Sequence, residues 1–120
     1  MKSTNLTIIQ GTPFRLLVRV KEFNDVGERV PMPLAGATIR LQARLTATSA
    51  TPLLDLSSNG NGITFGVAPG EFIIEMTGAQ TSALNWGERH PIYQCEVVPL
   101  VGDIFRALSG KIILDPEVVR

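Results

Sequence analysis

Cysteine is almost missing from this chain, and that scarcity excludes two ways of stabilising a small domain. Cys95 is the only cysteine among 120 residues. It excludes a disulfide within the chain and a zinc site built from thiolates of one chain. Because Cys95 alternates with Tyr93 and Val97 in an apolar pattern, we interpret it as a buried structural thiol rather than a nucleophile.

Histidine is equally scarce, which leaves few side chains suited to acid–base catalysis or metal binding. His90 is the only one; it precedes Pro91, and no second histidine or cysteine stands at a metal-ligand spacing. Ser82, His90 and Asp103 supply the residue types of a triad, but no Gly-x-Ser-x-Gly elbow surrounds the serine. We therefore expect no catalytic residues, no metal, no cofactor and no enzyme.

Net charge is also lacking, because eleven acidic residues balance eleven basic ones. A neutral chain has no field that would attract nucleic acid or an anionic membrane, so neither is expected as a partner. The N-terminus lacks the apolar core of a signal peptide, and no apolar run approaches the ~18 residues of a membrane span. Synthesis in a cytoplasm is the default expectation.

Basic residues occur in two alternating segments and could form one stripe if those segments were neighbours in a sheet: Arg15, Arg19, Lys21, Arg40 and Arg44. No aromatic residues are interleaved with them as base-stacking platforms would be. A solvated face, or a face pairing with Glu71 and Glu75, is the preferred interpretation.

The chain does contain many short segments of alternating polarity, which is typical of strands with one face in a core. Eight strands are predicted: Leu6–Ile9, Phe14–Lys21, Ala37–Leu45, Leu53–Leu56, Ile63–Phe65, Glu71–Met76, Ile92–Val97 and Phe105–Leu114. Glycine and proline lie at the joints between them. The pattern predicts one all-β domain over residues 1–120, an immunoglobulin-like antiparallel β-sandwich of about 7–9 short strands, with a barrel as the alternative and no Cys-Trp-Cys framework.

The connections carry predictions of their own. The stretch from Glu22 to Pro33 is expected to turn the chain and blunt an edge, and residues Thr46 to Pro52 to form a mobile surface loop. Asn59–Gly62 is interpreted as a hairpin turn rather than a phosphate- or calcium-binding loop. Thr77 and Thr81 are the candidate cap residues of a single helical turn or a short 3₁₀ piece.

Trp86 and the C-terminal tail, residues 115–120, are candidates for contact with a partner. A tryptophan in a turn between strands either folds back onto the core, which we favour, or anchors an interface. Pro116 stops the last strand, and Val118 and Val119 are apolar enough to need cover from the domain or from another subunit.

Several motifs together resemble a known family. They are Gly11-Thr12-Pro13-Phe14, the Leu34–Arg44 stretch with its Leu-x-Gly-x-Thr start, Tyr93–Val97, and above all an ending of the form Arg-x-Leu-x-Gly-x-(aliphatic)-x-Leu-x-Pro-Glu-Val-x-Arg over Arg106–Arg120. This order resembles small proteins encoded in the structural-gene clusters of tailed bacteriophages and prophages, over nearly the whole chain. The resemblance implies a non-catalytic virion component of immunoglobulin-like type.

From the resemblance we expect an adaptor or decoration subunit that joins parts of the particle, tail, baseplate or neck, by protein-protein contacts. Its expected partners are other virion proteins, in many copies or as an oligomer, and its expected location is the virion. The residues expected at the interface are Trp86, Phe105, Val118, Val119 and Arg120. The alternative is a module that binds host-surface carbohydrate, although one Trp and one Tyr supply few aromatic platforms.

Overall fold

The computed structural model describes residues 3–86, 89–116 and 118. Within those residues it has ten strands and one short helix. The strands are β1 Leu6–Ile9, β2 Phe14–Arg19, β3 Lys21–Phe23, β4 Arg29–Pro31, β5 Thr38–Arg44, β6 Leu54–Ser57, β7 Ile63–Phe65, β8 Glu71–Met76, β9 Ile92–Val98 and β10 Phe105–Asp115, and the helix α1 is Gly78–Ser82.

The strands form two larger sheets and one hairpin. A five-stranded sheet has the order β1-β10-β9-β5-β6, and a three-stranded sheet has the order β2-β8-β7. All their pairs are antiparallel except β1 with β10, which run parallel. The separate hairpin pairs β3 with β4.

One apolar core lies between the two sheets. The five-stranded sheet contributes a layer that includes Ile39, Leu41, Cys95, Val97 and Ile112, and the three-stranded sheet contributes Val18, Ile63, Phe72, Ile74 and Met76. Buried and exposed residues alternate along β5, β8 and β9, as a sheet with one face on a core requires.

This arrangement is an immunoglobulin-like sandwich, which confirms the predicted fold class. The strands β2, β8 and β7 form one sheet, and β5, β9 and β10 form the centre of the other together with β1 and β6. The ten strands comprise the eight that were predicted plus β3 and β4.

The prediction for Glu22–Pro33 was incomplete, because that stretch forms the β3–β4 hairpin rather than a simple turn. Asn24 Oδ1 accepts hydrogen bonds from the backbone N–H groups of Val26 and Glu28, and Gly27 has a φ of 82°. Pro31 stands opposite Lys21 in this hairpin. The next residue, Met32, donates its N–H to Val20 O. Because hydrogen-bonded pairs alternate with non-hydrogen-bonded pairs along an antiparallel ladder, position 31 needs no N–H and proline is tolerated there.

The hairpin predicted at Asn59–Gly62 was wrong in its pairing. Gly60 and Gly62 do take positive φ angles, but β6 pairs with β5 whereas β7 pairs with β8. The turn therefore carries the chain from one sheet to the other. Gly62 is needed there, since an added Cβ would lie 2.8 Å from Leu56 Cδ2.

The preferred interpretation of the basic residues is supported, and one smaller boundary is corrected. The alternative of a single basic stripe does not form, because β2 and β5 belong to different sheets; Arg19 Nε lies 3.0 Å from Glu71 Oε2 on the neighbouring strand. Asp115 belongs to β10, where it pairs with Ile9, so the tail begins at Pro116.

The helix α1 holds the segment that crosses from β1 to β2. Thr77 caps the helix in a capping box with Gln80, as predicted. Thr81 is fully buried, and its Oγ1 donates to Thr12 O at 2.8 Å while accepting from Gly11 N–H at 3.0 Å. Gln10 Nε2 adds a bond to Leu84 O at 2.8 Å. These bonds fix where the chain leaves one sheet and enters the other.

Replacing Thr81 by valine should therefore destabilise the domain. Thr81→Val keeps the shape but removes the hydroxyl, leaving the Gly11 N–H and the Thr12 carbonyl without this partner, at an expected cost of about 1–2 kcal/mol in the free energy of unfolding. Thr81→Ser keeps the hydroxyl and serves as the control. Urea denaturation measures both; equal stabilities would show that the bonds contribute nothing.

Candidate interface

Trp86 lies in the core, so the favoured of its two interpretations is confirmed. Its side chain is 2% exposed and belongs to the buried cluster between the sheets. Its indole Nε1 has no hydrogen-bond partner among the residues that are described. Trp86 therefore has no free surface to offer a partner.

The other predicted contact residues fall into three groups. Phe105 is half-buried and packs against the core. Val118 is 88% exposed. Val119 and Arg120 lie outside the described residues. Of the set, Val118 is the side chain that the structure places in solvent.

Cys95 is a buried thiol, as the sequence predicted. It is completely buried, and burial, with a smaller contribution from the Glu96 carboxylate, raises its pKa from 9.0 to about 12. A thiol with so high a pKa is a poor nucleophile near neutral pH. His90 is exposed, and no group of three or more His, Cys, Asp or Glu side chains in the described ranges could hold a metal ion.

Tyr93 joins the N-terminal segment to β9. Its hydroxyl donates to Thr4 O at 2.6 Å, and the ring is 1% exposed. Burial, with Cys95 as a smaller cause, raises the pKa of Tyr93 from 10.0 to about 12. The hydroxyl is thus a structural donor.

A polar cavity of about 170 Å³ lies on the outer face of the five-stranded sheet, between Arg40, Gln42, Arg44 and Gln94. Its central cation is already engaged: Arg44 Nη1 donates to Ser49 O and Ala50 O, and Nη2 donates to Gln42 Oε1. These bonds hold the loop at residues 46–52, so Arg44 has a structural role at this cavity.

Five of the exposed apolar side chains lie instead in and beside the loops at one end of the sandwich. We call this surface the apolar loop end and define it by Phe65, Val67, Leu100, Val101 and Ile104, which are 44%, 106%, 75%, 87% and 59% exposed. Contiguous exposed apolar surface of this kind marks sites of protein interaction.

Two contacts show that the loops of this end adjoin one another. Gly36, before β5, lies under Leu100 of the β9–β10 loop, where an added Cβ would be 3.1 Å from Leu100 Cδ2. Leu34 and Gly36 also line a groove with Phe65 and Val67 of the β7–β8 connection. Three connections thus present one apolar surface.

Sequence reasoning missed the apolar loop end, although a signal was available. Val67, Leu100 and Val101 stand in turns bounded by proline or glycine. An apolar residue in such a turn has no strand to carry it into the core, so exposure is the expected result. Phe105 was predicted in place of its exposed neighbour Ile104.

Comparison with known proteins adds little beyond the fold. No protein-family model and no curated protein matches the chain. One solved structure, the ZIG-8–RIG-5 IG1–IG1 heterodimer, is similar over 94% of this chain and 82% of that chain, with 9% identity and a TM-score of 0.46. We draw no functional argument from this similarity. The search for membrane spans found no helix in the described part of the chain with the length and hydropathy to cross a bilayer.

The raised pKa values of Cys95 and Tyr93 predict a loss of stability in alkali. Between its unfolded and folded pKa, each group has released its proton in the unfolded chain but keeps it in the folded one, so raising the pH favours unfolding. Stability should be intact below about pH 9 and fall as the pH approaches about 12, at up to about 1.4 kcal/mol per pH unit for each group.

Urea denaturation at a series of pH values measures this loss, with Cys95→Ala as the comparison. For each protein, the free energy of unfolding is compared with its own value at neutral pH. In the Cys95→Ala variant this free energy should begin to fall at a higher pH, because only Tyr93, whose ordinary pKa is 10.0, then contributes. An unchanged onset would contradict the assignment to Cys95.

Proposed function

We propose that this chain is a non-catalytic structural protein of a bacteriophage virion that joins parts of the particle by protein-protein contacts. The virion part of this proposal is supported by the resemblance of Arg106–Arg120, and of the motifs before it, to small structural proteins of tailed bacteriophages. The observation that carries the joining role is the presence of two exposed apolar elements at opposite ends of β10.

The positions of these elements follow from one strand. The apolar loop end includes Ile104, immediately before β10, whereas Val118 stands three residues after the strand ends at Asp115. Eleven residues in extended conformation separate the two ends by about 33 Å. A subunit with apolar contacts at both ends can touch two neighbours at once, as a joining subunit must.

The carbohydrate-binding alternative receives less support from the side chains. Sugar rings pack on exposed flat aromatic faces, yet Trp86 and Tyr93 are 2% and 1% exposed. The exposed aromatics Phe23 and Phe65 carry no polar group of their own. Protein contact is therefore the function we develop.

Removing the tail tests the proposal. A chain that ends at Asp115 keeps all of β10 and its pairing with β1, so it should fold with an unchanged melting temperature. We expect it to be lost from particles produced in a host that expresses it in place of the full chain. Incorporation at the full-length level would refute a joining role for the tail.

Charge on the apolar loop end tests the opposite contact. Val67→Lys combined with Val101→Lys should change the free energy of unfolding by no more than about 0.5 kcal/mol, because both side chains are exposed. Incorporation into particles should nevertheless fall strongly, since two ammonium groups would have to be desolvated at the contact.

The matched control carries the same added charge between the two ends of the sandwich. Thr64→Lys combined with Gln94→Lys alters two exposed strand residues, one in each of the two larger sheets. This control should be incorporated normally. Equal loss in both double variants would show a charge effect unrelated to the apolar loop end.

A further inference from the structure

The outer edge of β2 is an unpaired row of backbone groups. Val20, which directly follows β2, donates its N–H to Gly70 O at 2.7 Å and accepts from Met32 N–H at 2.9 Å, so its backbone faces β8 and β4. Because backbone direction alternates along an antiparallel strand, Arg15, Leu17 and Arg19 direct their N–H and C=O groups away from β8.

The same edge continues along β3. Asn24 N–H donates to Glu28 O across the hairpin, which by alternation turns the backbones of Lys21 and Phe23 outward as well. In the ranges that the structure describes, β2 pairs with β8 and with no other strand, and β3 pairs with β4 alone. The unpaired edge therefore runs from Phe14 to Phe23.

This edge carries the charged side chains of Arg15, Arg19 and Lys21 but lacks three other devices that prevent strand addition. It contains no proline, and the β2–β8 register has no bulge. The residues of β2 that face inward are all apolar: Phe14, Leu16 and Val18. Phe14 and Leu16 are only half-buried. Edge strands without proline, bulge or inward charge are templates for another strand.

The side chains on the outer face of β2 define what would fit beside it. Arg15, Leu17 and Arg19 are exposed and stand opposite Glu75, Ile73 and Glu71 on β8. An added strand would complete this face best with an acidic residue beside an arginine and an apolar residue beside Leu17, because opposite charges and apolar pairs across strands are stabilising.

The tail of the chain carries that pattern. Glu117, Val118 and Val119 alternate so that an acidic and an apolar side chain share one face while a valine occupies the other. We infer that the outer edge of β2 accepts Glu117–Val119 of a second copy of this chain as an added strand.

The register follows from matching faces. Val119 lies opposite Leu17 whether the added strand is parallel or antiparallel. Val118 then lies on the inner side, opposite Val18 in the antiparallel arrangement and opposite Leu16 in the parallel one. Glu117 then lies opposite Arg19 in the antiparallel arrangement and opposite Arg15 in the parallel one. Either direction therefore predicts the same central pair, Leu17 with Val119.

Two observations favour the tail of a second copy over other occupants. Val118 is 88% exposed, so this side chain of the tail is not packed on its own domain. Pairing β2 with β2 of a second copy would bring together two rows that each contain Arg15, Arg19 and Lys21, and like charges across strands are destabilising. The tail instead brings an acidic residue.

This inference rests on the proposed joining role for its biological setting, but it is tested on the purified full-length chain. Two variants are mixed, one with Leu17→Cys and one with Val119→Cys, and disulfide formation between them is followed by non-reducing gels and mass spectrometry. Cys95 does not interfere, since it is fully buried. Each new thiol is first calibrated by its rate with glutathione disulfide.

A matched control replaces Leu17→Cys by Thr64→Cys, an exposed residue of β7 at the opposite edge of the same sheet. The Leu17–Val119 disulfide should form at least about tenfold faster than the Thr64–Val119 disulfide, because docking raises the effective concentration of the paired thiols. Adding Glu117→Lys to the Val119→Cys chain should lower the rate up to about fivefold.

Other outcomes overturn the inference in distinguishable ways. Equal rates with Leu17→Cys and Thr64→Cys would show that the tail does not select this edge. Faster disulfide formation between two Leu17→Cys chains than in the mixture would show that β2 pairs with β2. A third outcome is that the tail-deleted chain is lost from particles but no Leu17–Val119 disulfide forms. That result would support the joining role and show that the tail binds a different protein.

Discussion

Burial of the apolar layer between the two sheets holds this chain together, since its single cysteine can form no disulfide within the chain. Ile39, Val97 and Ile112 of one sheet and Phe72 of the other are completely buried in a single cluster. The immunoglobulin position that a disulfide often occupies holds Cys95 as a packed thiol beside Leu41. Removal of apolar surface from water therefore replaces the covalent link as the source of stability.

That dependence on the interior limits what the surface can do. The polar side chains with defined geometry, Thr81 and Tyr93, are used to fix the crossing between sheets and the N-terminal segment. The exposed features of the described residues include apolar loops, an apolar residue in the tail and an unpaired strand edge. In the proposed function these are the features that contact other proteins.

Much of the fold could be predicted from the sequence, because the strands of a two-layer sandwich show their burial as alternation. β5, β8 and β9 each alternate cleanly, and all three were predicted within a residue or two. The β3–β4 hairpin was missed because each strand has only three residues and all of β3 is exposed, so neither strand is long enough to show a clear alternating pattern. The pairing around Asn59–Gly62 was missed because a turn sequence specifies backbone angles and not which sheet receives the next strand.

The candidate interface was harder to predict for a related reason. Local sequence indicates that Val101 is apolar and lies in a loop, but only the folded chain brings that loop beside Gly36 and Phe65. Trp86 shows the reverse case, in which a residue typical of interfaces is used to fill the core. Interfaces depend on which loops meet, and that is set by topology.

Quantitative mass spectrometry of gradient-purified virions is the most direct measurement of the central claim, that this chain is a structural part of the particle. The account predicts that peptides of this chain co-purify with the particles at a constant ratio to the major capsid protein across the gradient and after a high-salt wash. Absence of the chain from particles, with its peptides recovered only in the soluble lysate, would contradict the account.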